Sequence, residues 1–133
     1  MIGFFKRKSR TQPPSADEAI ARAQRGDNKG ALKEVDALIA EAPGVAMSHR
    51  FRGETLFAMN RYDEAIESFL TAERLGGPAM EELFFWIALA HANAERPDRA
   101  VEILQEYIDS PAASPDLSQK CKAAIAQIQG TPG

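Results

Sequence analysis

The stretch MSHRFRGETLFAMNRYDEAIESFLTAERLGG, residues 47 to 77, decides the fold of this chain. Its second half places Ala65, Phe69 and Ala72 at spacings of four and three residues, which puts them on one face of an α-helix. Its first half places Gly53 and Leu56 three residues apart, and a polar segment separates the halves. The stretch therefore predicts two amphipathic helices joined by a short turn.

The pattern of this stretch recurs on both sides of it. Ala31, Ala65 and Ala100 lie 34 and 35 residues apart. A fixed period of roughly 20 to 50 residues indicates an array of stacked units, and no segment of the sequence has the alternation typical of a strand. The other matching positions are the small Ala19, Gly53 and Ala88, the large Val35, Phe69 and Leu104, the positions of Leu38, Ala72 and Tyr107, and the terminal Pro43, Pro78 and Pro111.

This pattern resembles the tetratricopeptide repeat, a unit of two helices with a small residue in the first helix and an alanine in the second. The resemblance covers about 100 of the 133 residues and implies an all-α fold, an α-α superhelix of three hairpins with a C-terminal capping helix. The predicted limits are a flexible basic arm at residues 1–14, a repeat domain at 15–129 with repeats at about 15–46, 47–80 and 81–113 and a capping helix at about 115–129, and a tail at 130–133.

Eight of the repeated positions are expected to be structural. Helices approach closely only where one side is small, so Gly53 is expected to lie against a large partner such as Phe69. The eight positions are Ala19, Ala31, Gly53, Ala65, Phe69, Ala72, Ala88 and Ala100.

Helix start signals divide the chain into about seven helices of roughly 10 to 16 residues. Ser15 with Glu18 three residues later predicts a capping box, and Asp27 and Asn60 are predicted N-caps. Prolines that suit a first helical position are Pro78, Pro97 and Pro115.

Composition is that of a soluble, single-domain protein, with 44% apolar and 26% charged residues. The apolar run from Leu83 to Ala90 is shorter than the 20 or so residues that a membrane-spanning helix needs. The N-terminal MIGFFKRKSR lacks the apolar segment of a secretory signal. The single cysteine, Cys121, forms no internal disulfide, which fits a cytoplasmic location.

The charge is distributed unevenly along the chain. The arm carries four of the sixteen basic residues, which leaves twelve basic against nineteen acidic side chains, a net charge of −7, for the rest. A body this acidic is a poor surface for nucleic acid, so we expect no nucleic-acid partner. Membrane contact is expected only through residues 1–10, where Phe4 and Phe5 precede the basic cluster.

No group of residues predicts catalysis, a cofactor or a metal site. The sequence has no phosphate-binding glycine loop and no CxxC or HExxH motif. His49 and His91 fall in different repeats, and half-buried histidines in helix packing explain them best. Cys121 lies on an apolar helix face, where an inert thiol is expected. We therefore expect a protein that is not an enzyme.

The resemblance implies that the first helix of each hairpin lines a concave groove. Chaperone-binding members hold a C-terminal carboxylate with lysines, asparagines and an arginine at set groove positions. Those positions carry no cationic residue here, so binding to chaperone tails is not expected; they carry Ala16, Ile20, Phe51, Glu82 and Trp86. The predicted partner is another protein, as an apolar peptide or amphipathic helix. Phe51, Phe85, Trp86 and Leu89 are the predicted anchors in one patch, with Arg50 and Glu54 beside them.

Three alternatives stay open at this point. The same patch could pair two copies of the chain, which would make the protein a self-associating homodimer. The arm could attach an adaptor to a membrane surface. Finally, the chain could cover the patch itself, either because the helical register differs by one residue or because Phe4 and Phe5 fold back onto it.

Overall fold

The computed structural model describes residues 13–130, with Ala79 described by its backbone alone. This part of the chain contains α-helices and one 3-10 helix but no strand, which confirms the predicted all-α class. The predicted arm lies almost entirely outside the described residues. The helices are α1 Ala16–Gln24, α2 Asn28–Glu41, α3 Ala46–Ala58, α4 Tyr62–Gly76, the 3-10 helix Gly77–Met80, α5 Leu83–Asn93, α6 Pro97–Ile108 and α7 Pro115–Ile128.

The helices form an array in which each one packs on the next. Three antiparallel hairpins, α1/α2, α3/α4 and α5/α6, follow one another, and α7 packs on α6. Cys121 and Ala124 of α7 join one apolar cluster with Ala88, Ala100 and Leu104 of the third hairpin. The array is the predicted helical-repeat superhelix, and α7 covers the apolar side of its last hairpin.

Helices α3 and α4 approach closely at Gly53. A Cβ atom on this residue would lie 2.6 Å from Cε1 of Phe69, so the ring of Phe69 occupies the space that any side chain would need. Phe69 itself is fully buried between α3 and α4. The eight positions expected to be structural are all buried: Ala19, Ala31, Gly53, Ala65, Phe69, Ala72, Ala88 and Ala100.

The turn inside each hairpin has a left-handed residue at the same repeat position. These residues are Gly26, Asn60 and Glu95, with φ angles of 85°, 61° and 65°. In each turn the next backbone N–H donates to the carbonyl five residues earlier, as Arg61 does to Leu56 at 2.9 Å. This closure is the Schellman end of the first helix. Asn60 is therefore a C-terminal cap residue, and its prediction as an N-cap was wrong.

Glu95→Gly is expected to stabilise the protein by about 0.5–1 kcal/mol, because glycine adopts a positive φ without steric cost whereas glutamate does not. The side chain of Glu95 is exposed, so the substitution removes little else. The gain should appear as a higher midpoint of urea unfolding. Glu95→Ala keeps a Cβ atom and serves as the control; an equal gain in both variants would mean that backbone strain is not the cause.

The first helix begins with a cap that the sequence predicted only in part. The Ser15 hydroxyl accepts from the N–H of Glu18 at 3.0 Å, but the Glu18 carboxylate accepts from Arg22 and does not return to Ser15. Glu34 of α2 accepts the hydrogen bond that Glu18 would accept in a capping box, since its Oε2 accepts from the N–H of Ser15 at 3.1 Å. A second helix thus fixes the start of α1.

Two other start signals had different outcomes. Asp27 caps α2 as predicted, with its Oδ1 accepting from the N–H of Gly30 at 2.9 Å. Pro78 lies in the short 3-10 helix, and α5 begins only at Leu83. Met80 at the end of that short helix is buried and fills space beside Leu83. The turn between the second and third hairpins is therefore packed.

Candidate functional site

A largely apolar opening lies between the first two hairpins. This N-terminal cavity has a volume of ≈ 530 Å³, which is within the range of ordinary ligand sites. Eleven residues of α1, α2, α3 and the preceding turn form its wall. They are Ala16, Ala19, Ile20, Val35, Leu38, Val45, Met47, Ser48, Arg50, Phe51 and Glu54.

Large exposed apolar side chains concentrate at this cavity. Ile20, Val45 and Met47 are 42%, 46% and 57% exposed and all line it. Among the described residues only Leu70 and Leu75 are other large apolar side chains of similar exposure, and both lie on α4 away from the cavity. A cluster of this kind at an opening is typical of an interaction site.

A second, central cavity of ≈ 550 Å³ lies between α3, α5 and α7. Phe85 and Trp86 contribute aromatic surface, but four of its ten lining residues are charged. The Lys120 ammonium lies 5.2 Å from the centre of the Phe85 ring, a cation–π distance. The full lining is Arg50, Pro78, Met80, Glu81, Glu82, Leu83, Phe85, Trp86, Leu117 and Lys120.

Trp86 does not stand free on the groove as the sequence suggested. Its indole packs edge-on against Phe57 at 5.2 Å between ring centres and lies 5.7 Å from the ring of Phe69. The side chain is half-buried against the cluster that contains Leu56 and Phe69. An indole is large enough to reach back from its helix to the preceding hairpin, so Trp86 joins two repeats and also lines the central cavity.

The predicted single patch is divided in the structure. Phe51 lines the N-terminal cavity, Phe85 and Trp86 line the central cavity, and Leu89 lines a third opening near α7. Arg50 lies at the boundary, since it lines both of the first two cavities. Its Nε donates to Glu54 at 3.1 Å, so this charged pair lies where the two openings meet.

Sequence reasoning missed the wall residues that lie at the start of α3. Val45 is the N-cap residue and Met47 is in the first helical turn, one turn before the first groove position that was predicted for α3. A sequence signal existed, because Met47 precedes Arg50 and Phe51 by three and four residues, the spacing of one helix face. Lys120 was also missed, since α7 was expected only to cap the array.

His91 connects two hairpins through Arg96. Arg96 Nε donates to His91 Nδ1 at 2.9 Å, and Arg96 Nη2 donates to Asp63 of α4 at 2.6 Å. Burial lowers the pKa of His91, the positive charges of Arg96 and Arg99 lower it further, and Asp63 opposes them. The folded protein therefore favours the neutral imidazole, which accepts the hydrogen bond.

This lowered pKa predicts that acid destabilises the protein through His91. The unfolded histidine has a pKa of about 6.5, so the contribution of His91 is fully present above that pH. It is lost as the pH falls from there through the lower pKa of the folded state. Urea unfolding is measured at about pH 7.5 and about pH 5. The midpoint should fall further between these two pH values for the wild type than for His91→Gln. Parallel losses in the two proteins would contradict this prediction.

The thiol of Cys121 belongs to the packed interior of the described residues. Cys121 is fully buried, and burial raises the pKa of its thiol while Lys120 opposes the shift. Between residues 13 and 130 no three histidine, cysteine or acidic side chains converge on a possible metal position. No helix in the same range is long and apolar enough to cross a membrane.

Comparisons with known proteins agree with this architecture. The family model described as tetratricopeptide repeat matches residues 16–79 and 53–117, which together cover about three quarters of the chain. A search among curated proteins found no match. The chain therefore belongs to the tetratricopeptide repeat family, whose domains generally mediate protein–protein interaction and are typically non-catalytic.

Proposed function

We propose that the protein is a non-catalytic adaptor that binds an apolar peptide or an amphipathic helix of another protein along its first helices. The observation that carries this proposal is the gathering of Ile20, Val45 and Met47 around one cavity with Phe51 in its wall. An amphipathic helix presents apolar side chains at spacings that such an opening can accept. The N-terminal cavity is thus the proposed primary anchor site.

The central cavity is the proposed secondary site. Its charged residues Arg50, Glu81, Glu82 and Lys120 surround aromatic surface, which suits a partner segment that carries both apolar and charged groups. The Arg50–Glu54 pair between the cavities would orient the ligand rather than supply most of the affinity, since each side chain is about one third exposed. The first helices therefore offer an apolar end and a polar end.

Met47→Glu is expected to lower the affinity for such a ligand at least about tenfold, or about 1.4 kcal/mol. The substitution places a charge in the apolar cavity, yet an acidic residue in the first turn of α3 is compatible with the helix. Amphipathic helical peptides selected by display on the wild type provide the probe, and fluorescence anisotropy measures their affinity.

Leu70→Glu is the matched control, because Leu70 is 46% exposed but lies outside the cavity. It should bind the selected peptides as the wild type does. Equal binding by Met47→Glu and the wild type would refute the N-terminal cavity as the anchor site. Sedimentation at rising concentration tests self-association: a dimer that dissociates on Met47→Glu would assign the cavity to a second copy.

The proposed location is the cytoplasm. Cys121 is a free, fully buried thiol, so the fold uses no disulfide that an oxidising compartment would have to form. Fractionation of cells that express the tagged full chain tests this proposal directly.

A further inference from the structure

The chain enters the described fold beside the N-terminal cavity. Pro14 is buried, and the N–H of Ser15 is held by the Glu34 carboxylate at 3.1 Å. Ala16, the next residue, already lines the cavity. Pro13, the first described residue, therefore lies at most about 11 Å from Ala16, because an extended residue spans no more than about 3.6 Å.

The composition of residues 1–12 matches what this cavity can accept. Met1, Ile2, Phe4 and Phe5 are four large apolar residues among the first five. Phe5 is eleven residues from Ala16, a separation that spans at most about 40 Å when extended, so its ring can reach every part of the wall. Tethering over this length gives an effective concentration in the millimolar range, which favours occupancy even when the intrinsic affinity is weak.

Charge favours the same placement. The arm carries Lys6, Arg7, Lys8 and Arg10 and no acidic residue, whereas the rest of the chain has a net charge of −7. Asp17, in the first turn of α1 next to the cavity, forms no ion pair with any residue between 13 and 130. A basic segment that follows the inserted aromatic residues would find an exposed carboxylate at Asp17.

We propose that residues 1–12 of the same chain occupy the N-terminal cavity of the free protein, with Phe4 and Phe5 inserted among Ile20, Val45 and Met47. This inference rests on the proposed function, since the arm takes the site at which the partner binds. The arm is then an internal competitor. A partner binds only after displacing it, so the exposed apolar wall is covered between encounters.

A spin label on the full chain tests the placement. Ser9→Cys introduces a thiol for nitroxide attachment, while the native Cys121 is fully buried and does not react in the folded protein. The methyl signals of Ile20 and Met47 report on the cavity, and those of Leu70 and Ile128 report on α4 and α7. We expect strong paramagnetic broadening of the first pair and none of the second.

Two variants test the basis of the broadening. Phe4→Ser with Phe5→Ser should abolish it, because it removes the inserted rings but keeps all four basic residues. Lys6→Ser in the same labelled chain is the control and should retain most of it. Equal broadening of all four methyl groups, or broadening that survives the double phenylalanine substitution, would overturn the proposal.

Mixed samples identify the source of the arm. Isotope-labelled chains without the nitroxide are combined with nitroxide-bearing chains without isotope. Broadening in this mixture would show that the arm comes from a second copy, which overturns the intramolecular placement. Absence of broadening in the free chain, together with binding of the arm to phosphatidylserine vesicles, would assign residues 1–12 to a membrane surface and also overturn it.

Peptide affinity separates this inference from the proposed function. The double phenylalanine variant should bind the selected helical peptide several-fold more tightly than the wild type, because the competitor has been removed. Peptide binding without broadening in the free chain would reject the internal competitor alone. Broadening without peptide binding by either protein would reject the proposed function alone.

Discussion

Gly53→Leu is expected to lower the free energy of unfolding by about 3 kcal/mol, the largest effect predicted for this chain. The new Cβ atom alone would meet the Phe69 ring at 2.6 Å, and the remaining carbons of leucine would extend into a region that is already filled. Phe69 cannot move aside easily, because it is fully buried and contacts the Trp86 ring behind it. Urea unfolding followed by circular dichroism measures the loss.

Gly44→Leu is the matched control for this substitution. A Cβ atom at Gly44 would meet nothing within 4 Å, so the same chemical change should cost less than about 0.5 kcal/mol there. The double variant Gly53→Leu with Phe69→Ala should lose about 1 kcal/mol less stability than the two single losses added together, since the leucine fills part of the vacated space. Additive losses would show that the two residues do not compete for one space.

Trp86→Ala is expected to cost about 2–3 kcal/mol of stability as well as ligand affinity. The indole contacts Phe57 and Phe69 of the preceding hairpin, so its removal leaves a gap between two repeats. Trp86→Phe retains a ring at the same position and should recover most of the stability. Urea unfolding of both variants, combined with peptide binding by whatever fraction remains folded, measures the two effects separately.

This double effect makes Trp86 a poor probe of function by itself. Met47→Glu is the complementary variant, because Met47 is 57% exposed and should affect binding but not folding. A Trp86→Ala protein as stable as the wild type would contradict the packing role of the indole. It would also support the sequence-based prediction that Trp86 is exposed in the groove.

The fold was predictable because its signals are local and repeated. The alanines at positions 31, 65 and 100 recur at a nearly constant period, and each belongs to a helix whose apolar face is evident within a dozen residues. The Gly53–Phe69 pair was also predictable, since both residues belong to one hairpin with a short turn. Contacts within a hairpin depend on few degrees of freedom.

The candidate site was less predictable because it depends on the spacing between hairpins. Phe51 and Trp86 occupy equivalent repeat positions, as do Arg50 and Phe85, which suggested one continuous patch. The structure places the two rings at different cavities, and the repeat pattern does not give the spacing between neighbouring hairpins that decides this. Arg50 lies between the cavities, and Met80 reaches the central cavity from the 3-10 helix. A helical-face pattern contains no information about such insertions.

The N-cap error at Asn60 has a similar origin. Asparagine favours helix N-caps and also accepts a left-handed conformation, so composition alone does not choose between the end of one helix and the start of the next. The structure selects the second property, with φ of 61° and the side-chain Oδ1 accepting from the Tyr62 hydroxyl.

The distribution of the buried clusters implies that the array does not open uniformly. Both clusters draw their buried members from α3 and the elements after it, whereas α1 buries only Ala19. The first hairpin is therefore the unit with the lowest cost of local opening, and its amides should exchange with solvent ahead of those in α4 and α6. Since the N-terminal cavity needs α1 and α3 together, a bound ligand would select the closed hairpin and slow exchange mainly there.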